Sequence, residues 1–169
     1  MNTADTVICL EWHLADTTVP VDRQRFASAV QRILAGSRFA RATISVAILD
    51  NPQIQQLNRR HLQHDYPTDV LSFLFDERDD QVEGEIIISA EMARQQAPRY
   101  QWAAEDELLL YFVHGMLHLI GHDDHADEDR ARMRAAEASV LNGLGMEARW
   151  REVTTAGAPA SASEGDGKS

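Results

Sequence analysis

Apolar residues at Phe26, Ala29, Val30, Ile33 and Leu34 recur at three- and four-residue intervals, which predicts an amphipathic helix over about residues 22 to 35 with Gly36 as its stop. The flanking segments Val7 to Trp12 and Thr43 to Leu49 lack that period and are dense in β-branched and apolar residues, as are Val70 to Phe75 and Glu85 to Ser89. All four predict strands. Asn51 and Pro52 mark the start of a second helix, Asn as the cap and proline at the first helical position, with Ile54 and Leu57 on its buried edge. A short helix from Ser89 or Ala90 to Ala97 should end at Pro98. The stretch from Ala103 to Ile120 is apolar nearly all round and predicts a buried helix. A last helix runs from about Asp127 to Leu144, turning Met133, Val140 and Leu141 inward.

These elements define an α+β fold, a small mixed β-sheet packed by several helices with a buried central helix. One helix joins the first two strands, which favours their parallel pairing, and the short link before Glu85 favours an antiparallel neighbour. The acidic stretch Asp76 to Glu83 is expected as a solvated hairpin loop. The chain is long enough for one domain, assigned to residues 1–153, with Trp150 closing the core against the last helix. Residues 154–169 are Ala-, Gly- and Ser-rich without periodicity and are expected to be a disordered tail.

The buried helix carries the chemistry. Four of the seven histidines, His114, His118, His122 and His125, fall between residues 114 and 125. His114 and His118 are four apart, so on a helix they stand one turn above each other and can point two imidazoles at one ion. Two imidazoles in so apolar a helix need polar partners, and a metal supplies them. Gly121 can take the left-handed conformation that reverses the chain and returns a third ligand. His125 is the first choice for that ligand because imidazole suits zinc, and Asp124 also lies within reach. Three protein ligands leave a fourth position open, as hydrolytic zinc sites do and structural ones do not. His122 is read as a residue beside the ligands or facing substrate, and Asp123 and Asp124 as candidates to orient an imidazole.

The window from His114 to His125, with Pro67-Thr68-Asp69-Val70-Leu71-Ser72-Phe73 upstream, resembles the YbeY family of bacterial rRNA maturation factors, whose signature reads H-G-x-L-H-L-x-G-x-D-H. Leu57-Asn58 and Gly84-Glu85-Ile86-Ile87-Ile88-Ser89 match in the same order, so the resemblance covers about residues 44 to 145. It implies a zinc-dependent, single-strand-specific endoribonuclease of ribosomal RNA processing and ribosome quality control. The implied zinc ligands are His114, His118 and the histidine after Gly121, taken as His125, with one ion per chain. The implied partners are single-stranded RNA, ribosomal RNA, and the ribosome or its associated proteins, with no membrane and no DNA. Two positions depart from the family pattern. Its third histidine stands where this chain has Asp124, and an active-site Tyr-Arg pair falls on His61 and Leu62. No catalytic residue is assigned, and Arg59 or Arg60 is the candidate substitute for the missing arginine.

Composition narrows the setting. Cys9 is the only cysteine, which excludes an intrachain disulfide, and the amino-terminal residues lack the basic and apolar regions of a signal peptide. A cytoplasmic location is expected. The net charge of −11 does not by itself suggest a nucleic-acid partner. Residues 1–64 nevertheless hold seven arginines against five acids, and fifteen of the sixteen basic residues in the chain are arginine. Arginine can grip a phosphate bidentately and stack on a base. On this basis Arg59 and Arg60 are expected nearest the metal. Two other readings stand beside the nuclease, a non-catalytic ribosome assembly factor with a structural zinc, and a zinc peptidase. The peptidase is disfavoured because the H-E-x-x-H glutamate position is Gly115.

Overall fold

The computed structural model describes residues 5–63 and 68–146, and the expectations for Trp150 and the tail lie outside them. Strand β1 (Val7–Leu14) leads into helix α1 (Arg23–Ala35), strand β2 (Arg41–Leu49) and helix α2 (Asn51–Leu62). Strands β3 (Val70–Arg78) and β4 (Gln81–Ser89) follow, then helices α3 (Ala90–Gln96), α4 (Ala104–Leu119) and α5 (Asp127–Gly143), with a 3₁₀ turn over Ala97–Tyr100 between α3 and α4. The sheet order is β1-β2-β4-β3. Strand β1 pairs parallel to β2, β2 parallel to β4, and β3 antiparallel to β4. The expected α+β fold with a small mixed sheet is what the chain adopts.

Local chemistry departs from the sequence reading at two places. The cap of α2 is Asp50, whose carboxylate accepts from Gln53 N at 2.9 Å while the Gln53 side chain accepts from Asp50 N at 3.2 Å. Asn51 is inside the helix, and its side-chain oxygen accepts from Ser89 Oγ at 2.6 Å. The capping box wins because it satisfies two orphan N–H groups at once. The acidic stretch is the expected hairpin, but strand extends further into it than the sequence reading placed it, since β3 runs to Arg78 and β4 begins at Gln81. Arg38 pairs with Glu77 and Arg78 with Asp76, so the acids are partly neutralised along the ladder. As expected, α3 ends just before Pro98, which stands in the 3₁₀ turn that follows.

The two faces of the sheet carry separate cores. Ile44, Val46, Ile48, Ile86 and Ile88 pack with α1, α4 and α5 residues such as Phe26, Phe112, Met116 and Leu141. The alternating set Ala47, Leu49, Leu71 and Ile87 packs with Ile54 of α2. Strand side chains alternate between faces, so α2 and α4 lie on opposite sides of the sheet. Helix α4 approaches β3 and β4 closely because Gly115 has no side chain. A Cβ there would lie 2.8 Å from Ser72 Oγ, 3.0 Å from Ile86 Cγ2 and 3.1 Å from Val70 Cγ2. Gly84 repeats the device at the other end of this interface, where a Cβ would sit 2.6 Å from the Phe73 carbonyl and 3.1 Å from Leu119.

At the start of α4, Glu107 is only 3% exposed and accepts a hydrogen bond from Trp102 Nε1 at 2.7 Å. Burial raises its pKa above the usual 4.5, against the lowering effect of hydrogen bonds from Tyr111 and Trp102, and the Asp69 charge adds to the rise. A carboxyl with a raised folded pKa contributes stability below its unfolded pKa and loses that contribution as pH rises through the folded value. Glu107→Gln is therefore expected to raise the melting temperature more at pH 7 than at pH 4.5, read by thermal denaturation at both pH values. A larger gain at the acidic pH would contradict this placement of the charge.

Candidate metal centre

Helix α4 ends in a Schellman reversal. Gly121 adopts φ 105°, its N–H bonds the His118 carbonyl at 3.1 Å, and the His122 N–H bonds the Leu117 carbonyl at 3.0 Å. The sequence expectation of a stop at Gly121 holds, and the reversal also orients a ligand. His118 Nδ1 donates to the carbonyl oxygen of His122 at 2.9 Å. One turn earlier, His114 Nδ1 donates to Glu137 Oε1 of α5 at 2.6 Å. Carbonyl and carboxylate oxygens only accept, so each Nδ1 carries its hydrogen, and a ring in its neutral form presents its lone pair at Nε2.

Those two Nε2 atoms face each other at 3.0 Å. Asp124 Oδ2 lies 3.5 Å from both. Three acceptors converge on one point, an arrangement that is repulsive without a positive charge among them. The ionisation of the metal-free site reflects this. Burial alone would favour neutral His114, but hydrogen bonding to Asp124 and Glu137 outweighs it and raises the pKa to about 10. Hydrogen bonding to His114, opposed by burial and aided by His118, holds Asp124 down at about 2. Both shifts run in the direction expected of a cluster that attracts positive charge. Two imidazole nitrogens and one carboxylate oxygen fit a divalent metal, and His114, His118 and Asp124 form such a group geometrically. Their side chains are 26%, 30% and 34% exposed, so the cluster opens to solvent on one side.

His125 does not join the pair. Its side chain is 90% exposed, with Nε2 3.5 Å from Asp123 Oδ1. Asp123 Oδ1 accepts from Asp124 N at 2.7 Å and His125 N at 3.3 Å, and Arg130 Nη1 donates to the His125 carbonyl at 2.9 Å. These bonds curl the turn so that Asp124 faces back and His125 faces out. Asp123 therefore shapes the turn, and the groups that orient the two rings are Glu137 and a backbone carbonyl. Glu137 went unnoticed in the sequence because a glutamate on a polar helix reads as solvated. The signal was its register, since it falls four residues after Met133 and three before Val140, both inward-facing.

The arginines sort by partner. Arg25 pairs with Asp106 at 2.9 Å, Arg38 with Glu77 and Arg41 with Asp80 at 4.0 Å, while Arg23 stacks over Trp12. Arg59 and Arg60 form no ion pair among the described residues. They occupy the last turn of α2, on the sheet face away from α4, with neighbouring His61 packed edge-on to Phe73 of β3 at 5.7 Å.

Fold and cluster together define an α+β protein with a two-histidine, one-carboxylate centre on a central helix. The family model described as Endoribonuclease YbeY matches residues 11–145. The chain belongs to the YbeY family. An Endoribonuclease YbeY of Rhodopirellula baltica is 42% identical over 127 residues, covering 74% of this chain and 66% of that protein. One of Carboxydothermus hydrogenoformans is 47% identical over 105 residues, covering 62% of this chain and 73% of its own length. A Thermotoga maritima protein solved in solution has the same fold, with a TM-score of 0.53 at 22% identity over 91% of this chain and 98% of that one. Asp124 follows Gly121 by three residues and supplies the third donor atom of the group that His114 and His118 begin.

Metal analysis of purified variants follows from this geometry. His114→Ala, His118→Ala and Asp124→Ala should each lose bound zinc, and His125→Ala should keep most of it. Retention in Asp124→Ala with loss in His125→Ala would show that the turn rearranges on binding and that the exposed histidine is the ligand.

Proposed function

We propose that this chain is a metal-dependent endoribonuclease that cleaves single-stranded RNA in ribosomal RNA maturation, including small-subunit rRNA processing, and in ribosome quality control in the cytoplasm. One zinc ion is held by His114, His118 and Asp124, with His125 left at the solvent side of the turn. The observation that carries this reading is the convergence of two Nε2 lone pairs and a carboxylate oxygen at a partly open site. The name shared by the relatives supports RNA cleavage as the reaction. No described helix is long and apolar enough to cross a membrane.

A zinc ion bound there supplies Lewis acidity to a phosphodiester and makes water a stronger acid at neutral pH. The protein's own part is to hold the donors. The His122 carbonyl and the Glu137 carboxylate keep both Nδ1 protons in place, so both Nε2 atoms stay available. Asp123 keeps Asp124 turned inward. Arg59 and Arg60, without an ion pair among the described residues, are available to bind phosphates at a distance from the cleavage point. Partners on this reading are ribosomal RNA and the ribosome or its associated proteins.

The peptidase reading loses support from packing as well as sequence. Position 115 faces the sheet, and its Cβ would already crowd Ser72, Ile86 and Val70. No glutamate fits there to take a proton from water. A purely structural metal is disfavoured by donors that are a quarter to a third exposed.

The full chain should cut single-stranded RNA, lose that activity to a chelator and regain it with zinc, while leaving duplex RNA and casein intact. His114→Ala should lower kcat/KM by more than about 100-fold, because ligand loss exceeds the effect of removing a ligand's supporting partner. Chelator-resistant RNA cleavage, or cleavage of casein, would contradict the proposal. In the same assays, neutralising Arg59 and Arg60 together should flatten the salt dependence of RNA binding by about 0.7 log units per log unit of salt for each phosphate the pair had neutralised.

A further inference from the structure

We infer that Glu137 is a positioning residue for the metal centre and that it makes helix α5 a working part of that centre. This rests on the proposal that His114 and His118 hold a metal. Glu137 is 4% exposed and shares the buried stripe of α5 with Met133, Val140 and Leu141. A carboxylate in such a place is costly unless it is paired. Its partner is His114 Nδ1 at 2.6 Å, at the short end of the charge-assisted range. That bond fixes the rotation of the ring and the position of its hydrogen, and so aims Nε2 at the point shared with His118 and Asp124.

The two imidazoles are held differently. His118 leans on a neutral backbone carbonyl supplied by the reversal at Gly121. His114 alone leans on an anion, which makes it the more basic donor. Asp124 and Glu137 bring two negative charges to a divalent cation, one directly and one through the ring. The Glu137 charge is buried, where it counts for more than at a surface. Binding is also reciprocal. If α5 must be docked for His114 to be aimed, a metal on His114 must favour docked α5 by the same free energy.

The test uses the full chain with Glu137→Gln, which keeps size and an acceptor oxygen but removes the charge, and Glu137→Ala, which removes both. Zinc affinity is measured by competition with a chromophoric chelator, and hydrogen exchange along α5 is followed with and without zinc. Glu137→Gln should weaken zinc binding by about 10- to 100-fold, with Glu137→Ala at least as weak. Zinc should slow exchange of α5 amides in the wild type and do so less in both variants. NMR of the metal-free protein supplies an independent readout, a slowly exchanging His114 Nδ1 proton in the wild type that is absent in Glu137→Ala. Wild-type zinc affinity in Glu137→Gln with only a lower melting temperature would overturn the inference and leave Glu137 a packing residue. Absence of zinc binding by the wild type would instead overturn the proposed function, and the Nδ1 proton would then decide the positioning role by itself.

Discussion

Two lone pairs and a carboxylate oxygen directed at one point form a repulsive arrangement that the protein nonetheless builds. The His114 and His118 Nε2 atoms stand 3.0 Å apart because both opposite nitrogens are committed to acceptors. Much of the surrounding fold serves that commitment. The Schellman reversal at Gly121 brings the His122 carbonyl under one ring, α5 brings Glu137 under the other, and the Asp123 turn sets Asp124 across the gap. A positive charge at that point resolves the arrangement, and the raised pKa of His114 runs in the same direction.

Close packing makes the arrangement rigid. Gly115 lets the middle of α4 sit against Ser72 and Ile86, and Ser72 Oγ donates to the Gly115 carbonyl at 3.2 Å. Leu119 lies against Gly84 one turn beyond. The end of α4 that bears both histidines is therefore clamped to β3 and β4 at Gly115 and at Leu119. The same glycine that permits this close approach removes the proton acceptor a peptidase would need, so one residue serves both packing and choice of chemistry.

Periodicity made most of the fold legible. The α1 stripe, the parallel pairing of β1 with β2 and the antiparallel hairpin follow from patterns that read the same locally and globally. Misjudged features were those decided by competition between nearby polar groups. Asp50 displaced Asn51 as the cap because Gln53 stood three residues on. The hairpin acids paired with Arg38 and Arg78 and stayed in the strands. At the site, spacing was enough to find His114, His118 and the stop at Gly121. It could not rank Asp124 against His125, because adjacent residues in a turn are separated only by backbone hydrogen bonds such as those to Asp123. Glu137 is a long-range partner of His114, and single-residue patterns do not reveal such pairs.

On the proposed function, a bound metal lies between two imidazoles and the carboxylate of Asp124. X-ray absorption at the zinc edge of the reconstituted full chain, compared with Asp124→Asn and His125→Ala, tests it most directly. The account predicts scattering from two imidazoles plus oxygen in the wild type, the same spectrum in His125→Ala, and a changed or empty site in Asp124→Asn. Three imidazoles in the wild type, reduced to two in His125→Ala, would contradict it.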